Sequence, residues 1–346
     1  RGFLFKGGVY LEKAAAIDTV AFDKTGTLTE GRPVVTNLQA IVHAGHSATE
    51  VTCTEEALLW LAAAVEARSE HPVARAVVAE AKRRFMPIER VTRFQSVAGH
   101  GVSADVAGRR IAVGNLKYFD GYESPERTAL EEQMNQLHDA GKTGMLVGEI
   151  VGAEHQPTVN YLGFIAVADK LRPEAPAAIA RLRHLGIKRI VMLTGDGSRV
   201  AAAVARACGV DEFHADLLPQ DKVRVLAKLK ENGRTAMIGD GVNDAPALAT
   251  ADVGVAMGAA GTDVAMETAD VVLMSDALDT IPFMLALSRR TRTVVFQNLS
   301  FALGVIAVLV VAALGFDLPL PLGVVGHEGS TVLVCLNGLR LLRFRS

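Results

Sequence analysis

The chain of 346 residues is 50% hydrophobic and 5% aromatic, with a formal net charge of −2. That length predicts two or three domains with ample core, and the near-neutral balance argues against a nucleic-acid partner. Three scattered cysteines (Cys53, Cys208 and Cys335) with no C-x-x-C pair argue against a disulfide framework or a zinc ribbon.

In chain order, the sequence opens at Arg1 with no signal-peptide pattern, and it is expected to be the later part of a longer chain. From Ile17 to Ser288 strand-like and helix-like runs alternate, which predicts α/β architecture. "DTVAF", "RIVMLTG" and "TAMIGDG" are β-rich runs that each end in a polar turn. They read as parallel strands whose carboxyl-end loops face a ligand. Between them "PEAPAAIARLRHLG" reads as a helix, with Pro near its start and Gly past its end.

Residues 34–156 read differently, as an inserted α+β domain. "EEALLWLAAAVEARSEHPVARAVVAEAKRRF" is expected to be one helix, followed by antiparallel strands around "FQSVAGHGVSADVAGRRIAVGN". "EHQP" breaks the chain before the strand "VNYLGFIAVAD". The flanking stretches, 17–33 and 157–288, then form one α/β domain.

Past Ser288, "RRTRT" precedes the uncharged run "LSFALGVIAVLVVAALGF", close to the ~20 residues that span a bilayer. "FDLPLP" breaks it, and a final segment ends in "RLLRFRS". Basic clusters at both outer ends predict a transmembrane helical hairpin over 289–346 with both ends cytoplasmic, so a lipid bilayer is the expected partner. A soluble buried hairpin is the alternative.

"VAFDKTGTLTEGR" puts Asp23 just past a strand, where a carboxylate can attack a phosphoryl group. D-x-T-G alone is often only a turn, but the run D-K-T-G-T-L-T is far more specific. With "MLTGD", "LPQDK" and "GDGVNDAPAL" in that order, the sequence resembles the P-type ATPases, ion pumps of the haloacid-dehalogenase superfamily. The resemblance implies a Rossmann-like phosphorylation domain with an inserted nucleotide-binding domain, and the cofactors ATP and Mg²⁺. Asp23 would form an aspartyl-phosphate, with Lys24 beside it in the motif. Asp240 and Asp244 would hold Mg²⁺ together with an oxygen of Asp23 and the Thr25 carbonyl. Lys222 and Thr194, with Gly195 and Asp196 in the same motif, would neutralise and orient the phosphoryl oxygens. Asn243 would help fix the metal loop. Related phosphatases carry a second Asp as general acid/base two residues after the nucleophile; Thr25 stands there, which implies a long-lived phosphoenzyme and makes a soluble phosphohydrolase the second reading.

The nucleotide site follows no common loop. "LHDAGKTG" lacks the first Gly of a Walker A motif, and strand-like sequence after "GHGVSA" excludes a Rossmann fingerprint. "SEHP" instead resembles the heavy-metal branch of the P-type ATPases. That implies Glu66 and His71 at the adenine end, Gly99 and Gly101 allowing backbone approach, and Asn115 completing the pocket. Asp169 also matches the family where the chain returns to the phosphorylation domain.

Ionisable residues in a spanning helix are costly and functional by default. His327, Glu328 and Thr331 fall at helical spacing with Cys335, and their donors suit a borderline divalent ion better than Cu⁺. Cys335 reads as a thiolate ligand or as a small packing residue. "HEGST" resembles the cobalt-type subgroup, which implies a Co²⁺ exporter of the cell membrane, with Zn²⁺, Cd²⁺, Ni²⁺ and Fe²⁺ as alternatives. By the same resemblance residues 1–16 would end a preceding membrane helix and stalk. The actuator domain and earlier membrane helices would be partners in a missing N-terminal half.

Overall fold

Every residue of the strand Thr19–Asp23 is buried, and its apolar run does not alternate, the mark of a parallel strand covered on both faces. The computed structural model describes residues 2–41, 53–69, 71–97, 99–122, 126–152, 158–240, 244–257, 267–275, 277–315 and 319–344. They form two compact units: Arg1–Asp23, Glu174–Met192 and Leu218–Ser346 in the first, Lys24–Pro173 and Leu193–Leu217 in the second.

In the first unit the strands Phe3–Phe5, Val271–Leu273, Val253–Ala256, Thr235–Gly239, Thr19–Asp23 and Arg189–Leu193 lie side by side in that order. Thr235–Gly239 pairs in parallel with both Thr19–Asp23 and Val253–Ala256, while Phe3–Phe5 adds an antiparallel edge. Parallel pairing brings the carboxyl ends of the two central strands together, so Asp23 and Asp240 leave the sheet on the same side. The helix Ala175–His184 forms as read, with Pro176 in its first turn and Gly186 (φ +80°) just past its end.

A single helix, Thr280–Gly315, then runs for 36 residues, about 54 Å. Ile281, Met284, Leu285 and Ser288 bury its first turns. Arg289 ties it down by donating through Nη2 to the Ile17 carbonyl (2.9 Å) and through Nη1 to the Leu185 carbonyl. The domain boundary expected at Ser288 therefore falls inside an unbroken helix. The charged "RRTRT" stretch contains no Gly or Pro, so nothing there stops a helix. Beyond Val294 its apolar side chains are largely exposed, reaching 85% at Leu314. Among the described residues this is the one helix long and apolar enough to cross a membrane. A second helix, Leu320–Leu339, follows and packs against it.

The second unit is built on an antiparallel sheet, in the order Thr29–Ala40, Thr158–Leu171, Thr143–Val151, Arg109–Gly114, Gly101–Val106 and Thr92–Val97. One core cluster joins Leu58, Leu61, Val65 and Val77 to Val102, Ile111 and Ile165. Another joins Leu130 and Met134 to Phe119, Leu146 and Tyr161. The segment expected as one helix forms two, Glu55–Glu66 and Pro72–Arg83. Proline disfavours the helical region for the residue before it, and His71 is accordingly extended (φ −63°, ψ 140°) and caps the second helix.

Candidate functional site

In the first unit the buried strand delivers Asp23 to the sheet edge with only 5% of its surface exposed. Pro219 starts the helix Pro219–Glu231 and leaves Lys222 in its first turn. Its Nζ lies 2.6 Å from Asp23 Oδ1 and 2.7 Å from Asp244 Oδ1. Gly239 makes room for this: a Cβ there would lie 2.7 Å from Asp244 Oδ2. Burial raises the pKa of Asp23, the Asp244 charge adds to the rise, and Lys222 opposes it. Asp244 is raised by burial as well. Burial works against the charge of Lys222, but the attraction of Asp23 and Asp244 outweighs it and holds the ammonium above the usual lysine value. The charge of Asp240 acts on both carboxylates. Asp23 and Asp244 offer hard oxygen donors of the kind a divalent cation such as Mg²⁺ takes, and the Asp240 charge acts on both, although among the described residues no three acidic side chains close into a cage. Asn243, expected in this loop, lies outside the described residues.

In the second unit Lys24 is buried and pairs with Asp196. Thr194 is buried too, and its Oγ1 accepts from the Asp196 N–H at 3.1 Å. Thr25 and Gly195 are exposed. The loop after Asp23 turns through Gly26 (φ +75°) and is braced by residues far away in sequence. Thr29 Oγ1 donates to the Lys24 carbonyl at 2.9 Å and shares a hydrogen bond with Asp169 Oδ2. Arg172 donates to the Thr29 and Gly26 carbonyls at 3.1 and 3.2 Å. The resemblance singles out Asp169 but neither Thr29, which lies inside the run quoted for Asp23, nor Arg172, three residues after Asp169.

The same unit carries a cleft of about 480 Å³ lined by Glu66, His71, Gly99, Gly101 and Asn115, so all five expected residues meet there. A volume of that order suits a nucleoside. Glu66 ends its helix in a buried position, and burial pushes its carboxyl up to about 7, with the Ser69 hydrogen bond opposing. His71 Nδ1 accepts from the Val73 N–H at 3.3 Å, and the protein packed around part of its ring lowers its pKa, opposed by the charge of Asp196. Gly99 has φ +74° and open space where a Cβ would point. At Gly101, by contrast, a Cβ would fall 2.4 Å from the Val113 carbonyl oxygen, so strand pairing alone requires glycine. Asn115 spends its carboxamide internally, donating to the Gly99 carbonyl at 3.0 Å and accepting from the Tyr118 N–H at 3.1 Å. It shapes the cleft by fixing the Gly99 turn.

The profile of the haloacid dehalogenase-like hydrolases matches residues 17–252. The chain belongs to that family. Its relatives there are heavy-metal P-type ATPases. Over its whole length it is 41% identical to a probable cadmium-transporting ATPase of Staphylococcus aureus, of which it spans 41%. It is 42% identical to a probable cobalt/nickel-exporting P-type ATPase of Mycolicibacterium smegmatis, covering all of this chain and 50% of that one. Among solved structures, a zinc-transporting PIB-type ATPase in its E2.Pi state superposes with a TM-score of 0.75 at 41% identity, covering 99% of this chain and 52% of that one. The chain thus spans about half the length of the P-type ATPases it matches.

On the second of the two long helices His327, Glu328, Thr331 and Cys335 are all exposed. Thr331 Oγ1 donates to the His327 carbonyl at 3.3 Å, the helix's own backbone. Among the described residues no three His, Cys, Asp or Glu side chains gather as a metal cage. The expected transport-metal residues share a helix but do not form a closed site.

Proposed function

We propose that the chain is the catalytic and final membrane portion of an ATP-driven exporter of a divalent transition metal. The observation that supports this most is the buried Asp23–Lys222–Asp244 cluster at the end of a parallel strand. ATP would bind with its base in the cleft of Glu66 and His71. A carboxylate oxygen of Asp23 then attacks the γ-phosphorus as the bond to the β,γ-bridging oxygen breaks, giving an aspartyl-phosphate and ADP. Lys222 and Thr194 balance the charge that spreads over the phosphoryl oxygens. Asp23, Asp240, Asp244 and the Thr25 carbonyl would hold Mg²⁺, which when bound shields the phosphate charge. Thr25 cannot act as a general base, so the phosphoenzyme persists long enough to drive a change of shape.

The exposed apolar run of Thr280–Gly315, followed by Leu320–Leu339, supports a multi-pass membrane location with the catalytic domains in the cytoplasm. His327, Glu328 and Thr331 would supply part of the ion's ligands, the rest coming from earlier membrane helices of a longer protein. The HEGST stretch favours Co²⁺ over Zn²⁺, Cd²⁺, Ni²⁺ and Fe²⁺. The test is ATP hydrolysis by the full-length protein across these five ions, with His327→Ala and Glu328→Ala beside it. The proposal expects Co²⁺ to stimulate best and both variants to lose stimulation; full stimulation in both would overturn the ion-site assignment.

A further inference from the structure

Gln297, Asn298 and Asn337 place three carboxamides where the two long helices meet, and none belongs to the ion site proposed above. Asn337 Nδ2 donates to Asn298 Oδ1 at 2.8 Å and reaches Gln297 Oε1 at 3.5 Å. Asn298 Nδ2 donates to the Val334 carbonyl at 3.3 Å, and Arg340 Nη1 donates to Asn337 Oδ1 at 3.1 Å. Both asparagine side chains therefore use both their ends, and each reaches across to the other helix.

A second contact has the same register. A Cβ at Gly326 would meet Leu309 Cδ2 at 3.0 Å, so the backbone of the second helix lies close to the first there. Eleven residues separate Asn298 from Leu309, and eleven separate Gly326 from Asn337. The helices are thus antiparallel and pinned at two points about 16 Å apart along the axis. On the second helix the half-buried or buried positions Gly326, Ser330, Val334 and Asn337 recur every three or four residues and form the seam. His327, Glu328 and Thr331 stand off that seam, exposed. Sliding the pairing by one residue would rotate them by about 100°.

We propose that Asn298 and Asn337 form a register clamp and act as positioning residues for the ion site, which they do not touch. The clamp holds the second helix so that His327, Glu328 and Thr331 face away from the long helix, toward ligands from elsewhere. It also connects that face to the catalytic end. Nine residues before Asn298, Arg289 fastens the same rigid helix to the Ile17 carbonyl, just ahead of the Asp23 strand. The carboxamide oxygens are not themselves an ion way-station, because the Arg340 guanidinium occupies Asn337 Oδ1 and repels a divalent cation. This inference rests on the reading of His327 and Glu328 as ion ligands.

The first experiment measures register directly. The chain in bilayer vesicles carries Leu309→Cys and Gly326→Cys, with Cys53, Cys208 and Cys335 changed to Ser. Oxidative cross-linking should be fast in this parent and roughly tenfold slower with Asn298→Leu or Asn337→Leu. The double variant should be slowed by less than the product of the two single effects, since the Asn337–Asn298 bond is lost only once while the Val334 contact goes with Asn298 alone. Unchanged rates, or additive losses, would overturn the clamp. The second experiment uses the full-length protein. Asn337→Leu should raise the metal KM about tenfold with kcat and the KM for ATP within twofold, and Asn337→Gln should recover part of it. A fall in kcat at unchanged metal KM would mean a purely structural role and sink the proposal. If cross-linking responds but His327→Ala and Glu328→Ala keep full metal stimulation, the ion-site reading has failed. If those two variants abolish stimulation while Asn298→Leu and Asn337→Leu change neither readout, the clamp has.

Discussion

Lys222 stands between two carboxylates, with Nζ 2.6 Å from Asp23 Oδ1 and 2.7 Å from Asp244 Oδ1, all three side chains being buried. One ammonium thus orients Asp23, the proposed nucleophile, and neutralises Asp244, proposed to hold the cation. Removing one partner of such a buried set strands the others, at a cost of roughly 3–5 kcal/mol. Lys222→Ala should therefore slow phosphorylation by at least about 10²-fold. Nucleotide binding in the separate cleft should be unchanged. Rapid-quench labelling beside equilibrium ATP binding checks both; equal losses in the two would show general misfolding.

Asp169 holds the loop after Asp23 from a strand 140 residues later, through Thr29 Oγ1 and the Arg32 N–H. Asp169→Ala should cost about 1–3 kcal/mol of stability and slow labelling with little change in ATP affinity. Arg172→Ala should act in the same direction by releasing the Gly26 and Thr29 carbonyls. Wild-type labelling rates in both variants would show that the brace is dispensable.

Glu66 carries a pH signature for the nucleotide-binding unit. Burial raises its carboxyl from 4.5 to about 7, so the fold favours the neutral form. Between those values the unfolded chain has lost the proton that the folded chain keeps, so stability is greatest below 4.5 and falls as pH rises to about 7. Glu66→Gln should remove that fall and stabilise the unit at pH 8 by roughly 2–3 kcal/mol. Trp60, the chain's one tryptophan, packs against the same core and reports unfolding by fluorescence. A pH slope that survives in Glu66→Gln would assign it to another group.

The two cleft glycines should behave differently. Gly101→Ala forces a Cβ to 2.4 Å from the Val113 carbonyl oxygen and should destabilise the unit by about 2 kcal/mol or more. Gly99→Ala meets no atom and pays only for its φ of +74°, about 1 kcal/mol, at a position that lines the cleft. Its main effect should be weaker ATP binding. Calorimetric ATP titration with urea unfolding of each variant separates the two.

That Asp23, Lys222 and Asp244 would come together was legible because their motifs are local: each sits in a short specific run, and parallel strand pairing brings the runs of Asp23 and Asp240 to the same end of the sheet. The Thr29–Asp169–Arg172 brace was not legible, because its partners are some 140 residues apart and only the fold makes them neighbours. The break at His71–Pro72 was readable from the proline rule, but the apolar periodicity on either side suggested a single helix. Composition placed a boundary near Ser288; the helix passes through it, because a change of surroundings from protein core to exposed apolar face needs no change of backbone. Gly101 and Asn115 line the cleft as read, but Gly101 also meets a strand-packing need and Asn115 also fixes the Gly99 turn, demands that spacing alone could not show.

The central claim is that Asp23 becomes phosphorylated from ATP. The most direct measurement is acid-quenched labelling of the full-length protein with γ-labelled ATP and Mg²⁺, followed by hydroxylamine treatment and mapping of the labelled peptide. The account predicts hydroxylamine-sensitive label on Asp23, absent without Mg²⁺ and absent in Asp23→Asn. Label that persists in Asp23→Asn, or that maps to another residue, would contradict it.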